Sequence, residues 1–162
     1  MSATLGELFK HNTWANLRLI DTCVSVSEEH LDATAPGTFG SIRDTLVHLV
    51  AAQERYLSAF TGQRPENPLR ESDGFPGFPE LRERALRTGE GLLIRASRAD
   101  ANPTLETTWH GEPVSLPASL FFLQAINHAT EHRAQVATVL TTVGVEPPGM
   151  DGWAYNDDQA TR

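Results

Sequence analysis

The sequence predicts an all-α fold, a four-helix bundle in one domain over residues 1–162, with a short β-hairpin ahead of the last helix. Three observations lead there. Four segments carry apolar residues at helical spacing, start and stop residues bound those segments, and no repeat or low-complexity stretch divides the chain. At 162 residues, folding can bury roughly 70% of the unfolded chain's surface, enough for a real core.

At about 100° per residue, Leu5, Leu8, Phe9, Ala15, Leu19, Ile20 and Cys23 project onto one face of a first helix running from about Ser2 to Val26. Asn12 and Asn16 fall on the same face, where they either line a pocket or bond to nearby backbone; the structural role is preferred. After Pro36, Gly37 and Gly40, Ser41 can cap a second helix, with Asp44 as the acidic member of a capping box. Ile42, Leu46, Leu49, Tyr56, Leu57 and Phe60 form its stripe, and Gly62 is its natural stop. The stretch from Thr61 to Pro79 holds four prolines and three glycines, long for a connection inside a domain, and reads as a loop flanking a site.

Pro79 suits the first position of a third helix carrying Leu81, Ala85, Leu92, Ala96 and Ala99 on one face. Gly89 and Gly91 each weaken that helix by about 1 kcal/mol relative to Ala. Residues Thr104 to Val114 read as a hairpin with His110-Gly111-Glu112 at its turn. The fourth helix opens near Pro117 and runs to Val143, where Gly144 and Pro147-Pro148 end it.

Composition narrows the function. A net charge of −8 and the lack of a Lys/Arg cluster disfavour nucleic acid as a partner. The longest apolar runs fall far short of the roughly 20 residues that span a bilayer, and the N-terminus lacks a basic-then-apolar signal, so a cytoplasmic protein with no membrane partner is expected. A single cysteine, Cys23, excludes an internal disulfide and a Cys-rich zinc site; it falls on an apolar stripe and reads as a core residue. Any metal site must then use His and carboxylate ligands.

The segment Asn127-His128-Ala129-Thr130-Glu131-His132-Arg133 places two histidines at i and i+4, about 40° apart around the helix. Phe121, Ala125, Val139 and Val143 project within about 40° of one or both, so the two rings point into the bundle. A shared metal would give both buried imidazoles a partner, although hydrogen-bonded core histidines answer the same spacing. His48 is the candidate third ligand, yet it lies about 120° from the centre of its helix's stripe and must face the last helix across a different seam. Gln124 and Gln135 lie beside the pair and are candidates for contact with substrate or with the ligands' outer faces. Glu131 projects away, Arg133 is expected in an ion pair with a neighbouring helix or on an anionic substrate, and His11, His30 and His110 read as solvated.

These residues resemble the DinB/YfiT-like metalloproteins. The matching pieces are Trp14-Ala15-Asn16, Phe39-Gly40-Ser41-Ile42-Arg43-Asp44 leading to Leu46-Val47-His48, and His128 through Gln135, with Ala134 where the family often has Gly. The resemblance implies an up-down-down-up four-helix bundle, often a homodimer, with a divalent metal on His48, His128 and His132. It also implies chemistry on low-molecular-weight thiols, as in conjugation or maleylpyruvate isomerisation.

Three imidazoles leave at least one coordination position open, as in catalytic sites. The leading expectation is therefore a metal-dependent thiol transferase acting on a small-molecule substrate, with zinc or nickel ahead of iron or copper. Activation of water by the same ion, making a hydrolase, and a non-catalytic metal-binding stress-response module are the alternatives. Val47 and Val50, apolar beyond the stripe of their helix, are the residues that suggest self-association.

Overall fold

The computed structural model describes residues 3–98, 102–109 and 111–161. Ser2, Ala99 and His110, expected at a helix start, on a helix face and in the hairpin turn, lie outside them. In chain order the elements are α1 (Ala3–Cys23), α2 (Glu28–Leu31), α3 (Ile42–Thr61), α4 (Phe78–Ser97), β1 (Thr104–Trp109), β2 (Glu112–Pro117), α5 (Ala118–Thr142) and α6 (Gly152–Ala160). A 3-10 turn, Glu71–Asp73, lies in the connection before α4.

The four long helices form the bundle. α1 packs against α4 and α5, and α3 packs against the same two, so consecutive long helices α1 and α3 stand on one diagonal and α4 and α5 on the other. The helix starts follow local chemistry. Ser41 Oγ accepts from the Asp44 N–H while Asp44 Oδ2 accepts from the Ser41 N–H, the reciprocal capping box expected at α3. Gly62 closes α3 at φ 69, the left-handed cap that glycine adopts without a Cβ clash.

Several boundaries differ from those expected. The first helix stops at Cys23, and Leu8, expected on its buried stripe, is 47% exposed. The hairpin runs on to Pro117, because Leu116 pairs with Leu105 and the Ala118 N–H donates to Pro103 at 2.8 Å, carrying β2 straight into α5. Two short helices lie outside the sequence expectation. α2 is a single turn capped by Ser27, too short for periodicity to register, and α6 has no buried residue and hence no apolar stripe, although Asp151 caps it.

α3 is buried on more than one face. Ile42, Thr45, Leu46, Val47 and every residue from Leu49 to Glu54 are buried, since the helix contacts both α4 and α5. Val47 and Val50 therefore belong to the monomer's core, at 3% and 0% exposure, and offer no surface for self-association. Gly89 is also not a simple weakness of α4: a Cβ there would meet Thr13 Oγ1 at 2.4 Å, so its absence permits the close approach of α1 and α4.

The connection from α3 to α4 is clamped where it leaves the bundle wall. The buried Glu54 carboxylate accepts from the Leu69 N–H at 2.7 Å and from Arg84 at 2.8 Å, and Arg84 also donates to the Asn67 carbonyl at 2.9 Å. These bonds fix the segment immediately before Glu71. Among the described residues no helix is long and apolar enough to cross a membrane.

Candidate metal centre

His48 from α3 and His128 and His132 from α5 come together on the seam between those helices. His48 Nε2 lies 3.0 Å from His128 Nε2, and His132 Nε2 lies 3.2 Å from the same atom. The flank position that makes His48 an awkward candidate in sequence is explained by the two buried faces of α3: one stripe describes neither. A tetrahedral ion with Zn–N bonds of about 2.05 Å separates its nitrogens by roughly 3.3 Å; the two contacts to His128 are close to that, and all three donor atoms lie within 4.8 Å of one another.

The outer ring nitrogens decide what the inner ones present. His48 Nδ1 is 2.8 Å from Glu71 Oε1, and a carboxylate oxygen only accepts, so Nδ1 carries a proton and in the neutral ring Nε2 is the lone pair. His132 Nδ1 is 2.9 Å from Gln135 Oε1, which also accepts from the Phe39 N–H at 3.1 Å. That backbone donor fixes the Gln135 amide orientation, and with it the tautomer of His132. Two lone pairs thus converge on His128 Nε2. Three imidazoles so arranged are a fitting donor set for a divalent cation, and the group could hold a metal ion.

Aromatic rings enclose the cluster. Phe39 stacks on His48 with centroids 4.0 Å apart and meets His132 edge-on at 5.4 Å, while Tyr56 stands edge-on to His128 at 5.9 Å. Burial, then the neighbouring His132 and His48 and the nearby Arg55, hold His128 down at about 4. Burial likewise lowers His132, partly opposed by its hydrogen bond to Gln135. Both rings are therefore neutral at physiological pH, the form that binds metal.

Gln135 sits against His132 as described, whereas Gln124 is exposed and hydrogen-bonds Tyr56. Glu131 is exposed, as expected. Among the described residues no carboxylate pairs with Arg133: it is buried, donating to Asn12 Oδ1 and Asn16 Oδ1 at 2.7 Å each and to Thr130 Oγ1 at 3.0 Å. The two asparagines are thus structural, with a side chain rather than backbone as partner. His11 is half-buried, its Nε2 2.9 Å from the Met150 carbonyl, because α6 and its lead-in cover α1. Cys23 is fully buried and its thiol is pushed up to about 12 by desolvation, which removes it as a nucleophile.

Sequence reasoning misses Glu71 and Tyr56 as site residues. Tyr56 falls on an apolar stripe, and Glu71 carries no signal beyond its place in the long loop. Two cavities touch Glu71: one of about 230 Å3 also lined by Phe39 and Val47, and one of about 620 Å3 also lined by Arg55. A larger one of about 720 Å3 lies apart, among Trp14, Arg82 and Tyr155.

The chain is similar to a solved structure of a DinB-like protein from Bacillus cereus ATCC 10987, with 21% sequence identity, a TM-score of 0.66, and coverage of 90% of this chain and 94% of that one. Among curated proteins none matches. The DinB family model matches residues 1–162, in agreement with the helical bundle and the three-histidine cluster, and the chain belongs to the DinB family.

Proposed function

We propose that His48, His128 and His132 hold one divalent metal ion and that the chain is a metal-dependent thiol transferase acting on a low-molecular-weight thiol and a small-molecule electrophile. The observation that carries this reading is the convergence of the His48 and His132 lone pairs on His128 Nε2, each fixed from behind by Glu71 or Gln135. Three protein ligands leave a position for an exogenous group, as in catalytic rather than closed structural sites. When bound, the ion supplies Lewis acidity that lowers a thiol's pKa into the physiological range.

The protein's own groups do the rest. Glu71 and Gln135 hold the ligand rings in register, and Phe39 and Tyr56 wall the approach. The thiolate comes from a cosubstrate, because Cys23 is sealed in the core. We assign Gln124, exposed beside Tyr56, to contact with substrate, and Gln135 to the outer face of His132. Zinc or nickel suits the all-imidazole set best, with iron or copper next. The family resemblance adds a cytoplasmic homodimer as the working form.

The test combines metal analysis of untagged protein with the absorption of its cobalt-substituted form. About one ion per chain is expected, lost when His128 and His132 are both replaced by Ala, and the cobalt bands shift when thiol is added. His48→Ala should lose metal and transfer together while keeping a cooperative helical fold. Transfer that survives complete metal removal overturns the mechanism. A bound ion whose bands ignore thiols points instead to water activation or to a non-catalytic module.

A further inference from the structure

The cleft of about 620 Å3 that borders the metal centre has a charge character at odds with the chain as a whole. Its wall is made by α3, by the start of the α3–α4 connection and by β1, and it contains Arg55, Arg64 and Arg70. Three carboxylates line it as well, two of them paired with arginines and the third bonded to a hydroxyl. Glu54 is taken by the Leu69 N–H and Arg84, Glu106 accepts from Ser115 Oγ with both oxygens at 2.7 Å, and Glu71 bonds His48 and lies 3.5 Å from Arg55. Among the described residues Arg64 and Arg70 make no ion pair. With Glu54 offset by Arg84 and Glu71 beside Arg55, Arg64 and Arg70 outnumber the one remaining carboxylate, Glu106, so the balance in this cleft is positive although the chain's net charge is −8.

Position gives that charge a use. Glu71 belongs both to the cleft wall and to the outer contacts of His48, so the cleft reaches the outer side of that ring. Its volume falls in the range of small-molecule sites. Guanidinium groups present forked donors that match an oxyanion such as a carboxylate or phosphate. The clamp of Glu54 and Arg84 on Leu69 and Asn67 holds the connection that carries Arg64 and Arg70.

We propose that this cleft is an oxyanion subsite, in which Arg64 and Arg70 grip a carboxylate or phosphate on one arm of the substrate while its reacting end lies at the three histidines. The subsite rests on the metal-centre reading for what happens at that other end, and its anion binding is measurable apart from it. Arg55, beside Glu71, marks the boundary between the two.

The probes are glutarate, its uncharged analogue glutaramide, and inorganic phosphate, titrated calorimetrically into the full chain loaded with zinc, with metal content measured on the same samples. Glutarate or phosphate should bind in a salt-dependent manner, glutaramide should bind at least about 10-fold more weakly, and Arg64→Gln with Arg70→Gln should weaken the anion about 10-fold or more. The Arg64→Lys, Arg70→Lys protein should retain part of the affinity, and Arg95→Gln, exposed on α4, should change nothing. The preferred anion tells carboxylate from phosphate. Absence of anion binding, or anion binding indifferent to both arginine pairs, overturns the subsite. Loss of metal stoichiometry with anion binding intact would instead remove the metal-centre reading and leave the subsite standing.

Discussion

Replacing Gln135 by Leu tests the metal centre without touching a ligand. Gln135 Oε1 accepts two hydrogens, from His132 Nδ1 at 2.9 Å and from the Phe39 N–H at 3.1 Å, and Leu returns neither bond. His132 is then free to place its proton on Nε2, the atom that must donate a lone pair to the ion. Loss of such an outer partner costs about 10–100-fold in metal affinity, or roughly 1.4–2.7 kcal/mol. The lower end applies if water replaces the amide oxygen, the upper if the buried Nδ1–H is left unmet. Gln135→Glu should hold affinity near the native value, since a carboxylate accepts from the same nitrogen and stabilises the same tautomer. Competition against a chromophoric zinc chelator gives the dissociation constants, and thermal melts of the metal-free proteins separate folding from binding. An affinity for Gln135→Leu within about 3-fold of native, in a protein whose His132→Ala variant has lost the metal, would refute the tautomer argument.

The remaining predictions concern the metal-free fold. His128, held at about 4, and His132, also lowered, have folded pKa values below the unfolded reference of about 6.5. Their contribution to stability is therefore complete above about pH 6.5 and is lost as pH falls through the folded values. Urea midpoints of chelator-treated protein should drop between about pH 7 and about pH 4.5 more steeply than those of His128→Gln; equal slopes would contradict the burial of that ring. Gly89→Ala should destabilise by about 1–3 kcal/mol despite the better helix propensity of Ala, because β-branched Thr13 cannot swing away and its Oγ1 is tied to the Phe9 carbonyl. Gly91→Ala should be milder, since a Cβ there meets at 2.6 Å a terminal methyl of Leu57, which is unbranched at Cβ and can turn about its side-chain bonds, and denaturant unfolding of the two variants should separate them.

What is legible in the sequence is whatever depends on neighbours along the chain. The Ser41–Asp44 box, the Gly62 stop and the His128/His132 pair all lie within a few residues of one another or mark a single position, and all stand in the fold as expected, while Pro79 falls one residue inside the start of α4. Contacts between distant segments are not legible in that way. The bond from Phe39 to Gln135 spans 96 residues, and the Glu71 contact to His48 depends on a loop whose path is set by Glu54 and Arg84. His48 falls off its predicted stripe because a single apolar stripe presupposes one buried face, and α3 has more than one. Arg133 departs from expectation because ion pairs are the commoner partner of a buried guanidinium, while here two asparagines from α1 supply the acceptors.

The outer partners also determine how the site keeps its shape before a metal arrives. With His48 and His132 locked as Nδ1–H tautomers, neither can donate from Nε2, so the contacts of 3.0 and 3.2 Å to His128 Nε2 require the proton to sit on His128. One N–H is then shared between two lone pairs, which keeps the His48 and His132 nitrogens within 3.2 Å of His128 Nε2. Metal entry does not have to expel that proton from the protein: a neutral imidazole frees Nε2 by carrying its hydrogen on Nδ1 instead. Because His128 holds no second proton until about pH 4, the exchange is a change of tautomer rather than an ionisation. A site of this kind differs from a thiolate site, where binding strips protons from ligands and affinity climbs with pH. The depressed pKa of His128, the locking of its two neighbours and the closeness of the three nitrogens thus have one consequence: the ligands are ready at neutral pH, ahead of the ion.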